Sequence, residues 1–88
     1  MGLNEFRDEA REFLVGIGQN ERKALEIIPM LDEEVALLKN SIDEKEKLCH
    51  HVYDVLFLLF ELAGQHDCNL DLEWEKGRGK KKEKYLEK

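Results

Sequence analysis

The sequence has little of what disulfide frameworks, membrane spans and sheets require. It contains two cysteines, one proline and a nearly apolar run of only twelve residues, 52–63. A bilayer takes roughly twenty apolar residues and nothing before the run resembles a secretion signal, so we expect a cytoplasmic protein without a membrane span. Cys49 and Cys68 lack framework spacing, which favours free thiols over a disulfide. No segment alternates polar and apolar residues as a strand does.

Charge, in contrast, is abundant. Charged residues make up 39 % of the chain, and with one proline and six glycines they favour an all-α, water-soluble protein. The length of 88 residues predicts a single domain, residues 1–88. So short a chain buries only about 60–65 % of its unfolded surface, which leaves a lone monomer little stability. We therefore expect a homodimer or homotetramer.

The net charge of −6 is distributed unevenly. Residues 76–88 hold seven Lys or Arg against two Glu, which leaves −11 on residues 1–75. An acidic body with a basic C-terminal end argues against nucleic-acid binding by the whole surface. It suits a site that joins carboxylates, a divalent cation and a polyphosphate, and the alternative is a solvated charged tail.

Hydrophobic periodicity predicts four helices. The first covers Leu3–Val15 and is capped by Asn4, and residues 16–20 end it, with Asn20 available to cap the next helix. Pro29 interrupts the second helix, which either kinks there or restarts. The second helix carries an apolar stripe formed by Ala24, Leu25, Ile28, Leu31, Val35, Leu38 and Ile42.

The third and fourth helices follow a polar connection. The third covers roughly residues 44–63 and ends at Gly64, a residue suited to a C-terminal cap. A short link precedes the fourth helix, which begins near Leu70. Gly77 and Gly79 weaken that helix by about 1 kcal/mol each relative to alanine, so we expect its basic end to fray. The candidate caps are Ser41 or Asp43 for the third helix and Asn69 or Asp71 for the fourth.

The third helix holds carboxylates in an apolar environment. Within the apolar run only Asp54 and Glu61 are charged. A buried carboxylate needs a cation, a metal or hydrogen-bond donors, because burying it unpaired costs several kcal/mol. Helical spacing puts both acids on one stripe with His50 and His51. We expect His50 or His51 to hydrogen-bond Asp54, and Glu61 to pair with a lysine or arginine of another helix or else to join a ligand set.

Asp32, Glu33 and Glu34 form an acidic cluster on the second helix. If the second and third helices pack antiparallel, Glu33 and Glu34 can lie level with Asp54. Oxygen ligands from two facing helices suit a Mg²⁺ ion that keeps some of its waters and binds phosphate. The alternative, if the helix restarts at Pro29, is that the acids only complement the positive N-terminal end of the new helix.

Two motifs lie on these helices. They read Glu33-Glu34-Val35-Ala36-Leu37-Leu38 and His51-Val52-Tyr53-Asp54-Val55-Leu56-Phe57, and a basic ending runs from Glu75 to Tyr85. Together they resemble the MazG-type all-α nucleotide pyrophosphohydrolases over about residues 20–86. The resemblance implies a four-helix MazG-like bundle, assembled as a dimer or tetramer, in which four acids bind Mg²⁺ and basic residues of the last helix hold a triphosphate.

The family pattern is Glu-Glu-x-x-Glu, a spacer, and then Glu-x-x-Asp. Glu33, Glu34 and Asp54 match it. The third glutamate position holds Leu37, and His51 replaces the first acid of Glu-x-x-Asp. The imidazole makes Mn²⁺ or another divalent metal an alternative to Mg²⁺. The metal ligands implied by the resemblance are Glu33, Glu34, His51 and Asp54.

The resemblance implies an enzyme that hydrolyses a (deoxy)nucleoside triphosphate to the monophosphate and pyrophosphate. Glu33 or Glu34 would orient the attacking water, which the metal makes more acidic. Because two carboxylates of the pattern are missing, the alternative is a non-catalytic helical interaction module that kept the fold and lost the metal site. The residues that would neutralise the leaving pyrophosphate are Lys76, Arg78, Lys80, Lys81 and Lys82.

Overall fold

Residues 2–86, the part of the chain that the computed structural model describes, form four α-helices. They are α1 (Leu3–Gly16), α2 (Ala24–Lys39), α3 (Lys45–Gln65) and α4 (Leu70–Tyr85). The predicted all-α architecture of four helices is confirmed over these residues, which contain no strand. None of the helices within residues 2–86 is both long enough and apolar enough to cross a membrane.

The core is built around α3. This helix packs against both α1 and α2, and α4 packs against α1. Two aromatic pairs join α1 to α3: the ring centroids of Phe6 and Phe60 lie 6.1 Å apart, and those of Phe13 and Phe57 lie 5.9 Å apart, edge to face. Few apolar residues have less than a tenth of their surface exposed. They are Ala10, Leu14, Ile27, Leu58 and Ala63.

The C-terminal end of α1 is closed by a left-handed glycine. Gly18 has φ of 71°, and its amide and the next one donate to carbonyls in the last turn of α1 at 3.1 and 2.9 Å. These two bonds form a Schellman motif, which satisfies carbonyls that a helix end leaves free. The predicted break at residues 16–20 is confirmed. Asn20 does not cap α2, however, because that helix begins after Lys23 and has no side-chain cap.

The second helix continues through Pro29 instead of restarting there. Proline removes one backbone hydrogen bond, but Ile27 beside it is completely buried, and such packing stabilises a helix more than propensity does. The predicted apolar stripe does not match the buried face of α2 throughout. Leu25 is 88 % exposed, and Ile42 lies beyond the end of the helix. The acids at 32–34 lie within the helix, so the alternative that they complement a new N-terminal end is wrong.

Both ends of α3 differ from the prediction. Ser41 and Asp43 do not cap it: its N-cap is Glu44, and the Ser41 hydroxyl donates to a carbonyl near the end of α2 at 2.8 Å. Gly64 lies inside the helix and is buried. The left-handed residue is Asp67, with φ of 51°, and the amides of Asp67 and the next residue make a second pair of Schellman bonds, 3.4 and 3.0 Å long.

The N-terminal ends of α1 and α4 cap each other. The Asp71 carboxylate accepts from the amides of Leu3 at 2.7 Å and Asn4 at 3.4 Å. Asn4 does not cap α1 as predicted, because it lies inside that helix and the N-cap is Gly2. Its side-chain oxygen instead accepts from the amide of Leu70 at 2.8 Å. The predicted cap Asn69 is confirmed, since its side chain accepts an amide of the first turn of α4 at 3.1 Å. The helix then continues through both glycines, where we had expected it to fray.

Candidate metal centre

The α2–α3 hairpin brings three potential ligands together. Glu34 projects from α2 and His51 and Asp54 from α3, and each offers one ligand atom within 4.8 Å of the other two. Among residues 2–86 this is the one cluster of acidic, histidine or cysteine side chains with such spacing. The i, i+3 spacing of His51 and Asp54 puts them on one helix face, and the short connection turns α2 back so that Glu34 faces them.

The distances within this cluster are too long for good hydrogen bonds. His51 Nδ1 lies 3.4 Å from Glu34 Oε2 and 4.0 Å from Asp54 Oδ2. All three side chains are mostly buried, with exposed fractions of 18 % for His51, 24 % for Glu34 and 32 % for Asp54. His50 is nearer to Asp54, at 3.3 Å, but it is largely exposed to solvent. Asp54 thus has both predicted histidines beside it.

Two atoms of the cluster are buried without a hydrogen-bond partner, Glu34 Oε2 and His51 Nδ1. Buried polar atoms are almost always paired, because an unpaired one costs about 1–3 kcal/mol. A divalent cation would bind both atoms at once, and neighbouring ligands of an ion with bonds of about 2.1 Å lie about 3 Å apart. One imidazole and two carboxylates are a ligand set that suits Mn²⁺, Fe²⁺ or Zn²⁺, and three ligands leave positions free. The residues therefore fit a metal.

Glu33 has a different position. It is exposed and lines the open cleft of about 280 Å³ beside the cluster, but it is not one of the three clustered ligands. Adjacent residues on a helix point about 100° apart, so Glu33 and Glu34 cannot face the same ion equally. Of the four implied ligands, the structure thus brings together Glu34, His51 and Asp54, and places Glu33 at the edge of the cleft.

Glu61 pairs with an arginine and not with the cluster. Its side chain is 1 % exposed and accepts two hydrogen bonds from the Arg22 guanidinium, at 2.9 and 2.6 Å. These hydrogen bonds raise the pKa of Arg22 above the usual arginine value, against the opposing effect of partial burial. The ion-pair alternative for Glu61 is confirmed, although Arg22 lies in the connection before α2 and not on a helix.

Sequence reasoning missed Arg22. It lines the same cleft as Glu33 and Glu34, its guanidinium also contacts the Met30 sulfur at 3.5 Å, and its carbonyl accepts from the Gln65 side chain. The signal for it was Glu61, since a carboxylate inside an apolar helix requires a cation. Nothing in the sequence pattern distinguishes Arg22 from the other lysines and arginines, which number fourteen with it.

The predicted phosphate-binding residues lie elsewhere in this chain. All five are on α4, and among residues 2–86 the lining of the acidic cleft includes none of them. Two aromatic residues of the same helix are largely exposed, Trp74 at 65 % and Tyr85 at 63 %. The basic residues in question are Lys76, Arg78, Lys80, Lys81 and Lys82.

The two cysteines are not among the clustered ligands. Cys49 and Cys68 are both exposed free thiols, as predicted.

Comparison of the chain with protein families, with curated proteins and with solved structures finds no match. The likeness to MazG-type enzymes therefore stays a prediction from sequence motifs.

Proposed function

We propose that this chain binds a divalent cation between α2 and α3 and hydrolyses a nucleoside triphosphate to the monophosphate and pyrophosphate. The observation that supports the proposal is the cluster of Glu34, His51 and Asp54, in which two ligand atoms are buried and unpaired. The hydrolytic part of the proposal rests on the resemblance of the two acidic motifs to MazG-type enzymes.

Each residue of the cleft has a proposed role. Glu34, His51 and Asp54 would hold the ion, which when bound acidifies water and polarises a phosphoryl oxygen. Glu33, exposed beside them, would accept a proton from the attacking water and orient it. Arg22 also lines the cleft, but its guanidinium is paired with Glu61, so the two together add no net charge there.

Mg²⁺ remains the metal implied by the resemblance, but the donor set favours a softer ion. Mg²⁺ prefers oxygen ligands in a nearly ideal octahedron, whereas Mn²⁺, Fe²⁺ and Zn²⁺ accept imidazole readily. We therefore propose Mn²⁺ or another transition metal as the working ion of the centre.

The basic residues of α4 keep a proposed role in neutralising pyrophosphate. In this arrangement of the helices they do not line the cleft of their own chain. That role would therefore require α4 of a second copy to approach the cleft.

A second candidate function is a non-catalytic helical interaction module. Two observations favour it: the third acid of the family pattern is the apolar, 44 % exposed Leu37, and the basic residues lie away from the cleft. If the chain is such a module, a metal with a triphosphate should not stabilise it. If it is an enzyme, the same addition should raise its melting temperature clearly.

The direct test is a turnover assay. The protein is incubated with a panel of ribo- and deoxyribonucleoside triphosphates and with Mg²⁺, Mn²⁺ or Zn²⁺, and both monophosphate and pyrophosphate are measured. We expect the two products in equal amounts. Glu33→Gln and Glu34→Gln should each lower the turnover rate by at least about a hundredfold, because one removes a general base and the other a metal ligand. Glu26→Gln, an exposed acid of α2 outside the cluster, is the matched control. No turnover with any metal would contradict hydrolysis.

A further inference from the structure

One side of α4 carries aromatic rings and positive charges together. Trp74, Arg78, Lys81 and Tyr85 follow one another at spacings of four, three and four residues, so they lie on one side of the helix over three turns. With Lys82 beside them they line a shallow open groove of about 490 Å³ along α4. These five residues are here called the basic–aromatic face.

The basic–aromatic face is open to solvent. Trp74 is 65 % exposed and Tyr85 is 63 % exposed, and the three cations between them are exposed as well. Single exposed apolar side chains are ordinary, but two large rings on one side of a helix form a surface on which a ligand can stack. Because α4 packs chiefly against α1, the other helices leave this side uncovered.

The charge around the two rings is positive. Residues 76–86 hold six Lys or Arg against one Glu, a net charge of +5 in a chain whose net charge is −6. Within residues 2–86, Arg78, Lys81 and Lys82 form no ion pair with a carboxylate. Glu73 is the one acid among the described residues that line the groove. The face therefore attracts an anionic ligand.

Rings that alternate with cations suit a single strand of nucleic acid. Its bases stack on aromatic side chains, and its phosphates pair with lysine and arginine. Trp74 and Tyr85 lie about 16 Å apart along the helix axis, since each residue adds about 1.5 Å. A mononucleotide has one base and can engage only one of the rings. A strand has bases for both rings and phosphates for the cations between them.

A membrane surface fits this helix less well. A helix that lies in the membrane interface separates an apolar face from a charged face. On α4 the rings and the cations share one side, and the opposite side carries Lys76, Lys80 and Glu83 instead of apolar residues. The arrangement of charges thus favours a polynucleotide over an anionic lipid surface.

We propose that the basic–aromatic face of α4 binds single-stranded nucleic acid, with bases stacked on Trp74 and Tyr85 and phosphates paired with Arg78, Lys81 and Lys82. The rest of the chain is acidic, which confines the strand to this helix. Among residues 2–86 the lining of the acidic cleft includes none of these five residues, so the inference does not rest on the metal centre.

Fluorescence of Trp74, the only tryptophan of the sequence, reports stacking directly. The full chain, without metal, is titrated at low salt with an oligothymidylate of about fifteen nucleotides. Two further probes have the same length: an abasic oligomer, which has phosphates but no bases, and a duplex, whose bases are already stacked. We expect saturable quenching with the oligothymidylate. Both other probes should bind at least about tenfold more weakly, and the abasic oligomer should not quench.

Fluorescence anisotropy of a labelled oligothymidylate compares the ring variants. Trp74→Ala and Tyr85→Ala should each weaken binding by about tenfold, whereas Trp74→Phe, which keeps a ring, should stay within about threefold of the wild type. Tyr53→Ala is the matched control, because Tyr53 is 59 % exposed but lies on α3, and this variant should bind like the wild type.

The salt dependence of the same binding tests the cations. Lys81→Gln should lower the slope of log Kd against log salt by about 0.7, the value for one phosphate contact with a single strand. Lys45→Gln, at an exposed lysine of α3, should leave the slope unchanged. Equal slopes for the wild type and Lys81→Gln would show that this lysine does not pair with a phosphate.

Far-UV circular dichroism establishes that each variant is folded, which we expect because the substituted side chains are exposed. Absence of oligothymidylate binding would overturn the proposal. Abasic or duplex probes that bind as tightly as the oligothymidylate would also overturn it, since the rings would then contribute nothing. Binding only to vesicles with about 30 % phosphatidylserine would assign the face to a membrane instead. No metal is present in these titrations, so their failure leaves the metal centre untouched.

Discussion

Arg22 is a side chain outside the helices that compensates a charge buried inside one of them. It supplies the positive charge for Glu61, which is buried near the C-terminal end of α3. Without the guanidinium, Glu61 would be an unpaired charge in an apolar environment. An arginine side chain is protonated in folded proteins in any case, and the hydrogen bonds to Glu61 raise the pKa of Arg22 further.

Arg22→Met should therefore lower the free energy of unfolding by about 3 kcal/mol, measured by urea denaturation at neutral pH. Lys23→Met, the exposed neighbour, should change it by less than about 0.5 kcal/mol. The double variant Arg22→Met with Glu61→Met should recover most of the loss, because it removes the stranded charge. Equal effects of Arg22→Met and Lys23→Met would show that the pair does not stabilise the fold.

In the proposed metal centre, His51 is the side chain that would decide which ion is preferred. His51→Glu converts the set to three carboxylates, so affinity for Mg²⁺ should rise by about tenfold and affinity for Zn²⁺ should fall by a similar factor. Isothermal titration with each ion measures both changes. His50→Glu is the control, because His50 is 68 % exposed and outside the clustered ligands. If the two variants behave alike, His51 is not a ligand.

The sequence allowed most of this centre to be predicted. Spacing along α3 placed His51 beside Asp54, and an antiparallel hairpin brought Glu34 to them. The position of Glu33 was harder, because adjacent side chains point in different directions and only the rotation of α2 decides which one faces α3. Arg22 could not be chosen, since 39 residues and a loop separate it from Glu61.

At the scale of helices, the ends depend on left-handed residues and on distant partners. Gly18 and Asp67 occupy equivalent positions after α1 and α3, and each closes a Schellman motif. Gly64 was the predicted terminus because glycine is favoured there, but α3 extends past it. Periodicity thus predicted that the helices exist. Their termini, in contrast, depend on distant contacts: Asp71 binds the first turn of α1 through Leu3, 68 positions away in the sequence.

Gly64→Ala tests whether α3 ends at Gly64, as predicted, or continues past it to Gln65. Within a helix alanine is favoured over glycine by about 1 kcal/mol, and a new Cβ would meet the nearest side-chain atoms, of Arg7 and Arg11, at 3.6 and 3.9 Å, which is ordinary contact. We therefore expect this variant to gain about 0.5–1 kcal/mol in thermal denaturation. A left-handed glycine would show the opposite sign.

Gly18→Ala is the matched control, since Gly18 is left-handed although nothing lies within 4 Å of its Cβ position. Strain alone should lower its stability by about 1 kcal/mol. Destabilisation by both substitutions would mean that α3 ends at Gly64 after all.

At the scale of the molecule, the chain is an open arrangement with little buried core. Its dimensions are 47 × 35 × 26 Å, and only Ile27 is completely buried among the large side chains described. The small size and apolar stripes of the sequence led us to expect self-association. Which face would remain uncovered depends on how the helices rotate against one another, and the sequence pattern does not determine that.

The charge asymmetry is also a property of the whole molecule. The acidic cluster lies between α2 and α3, whereas the basic residues lie along α4, which packs against α1. The two charged regions expected to act on one ligand are therefore separate in a single chain. Any cooperation between them would require a second copy of the chain, whereas the proposed metal centre can be tested without one.

The measurement that most directly tests the metal centre compares the melting temperatures of the wild type and Asp54→Asn, each with and without Mn²⁺. An ion at a hundred times its Kd stabilises a protein by about 2.7 kcal/mol, which raises the melting temperature of so small a domain by about 10 °C or more. We predict this rise for the wild type and its absence for Asp54→Asn, whose metal-free form should be as stable as the wild type or more so, because a costly anion has gone. Loss of metal-free stability together with an unchanged response to Mn²⁺ would contradict the metal centre.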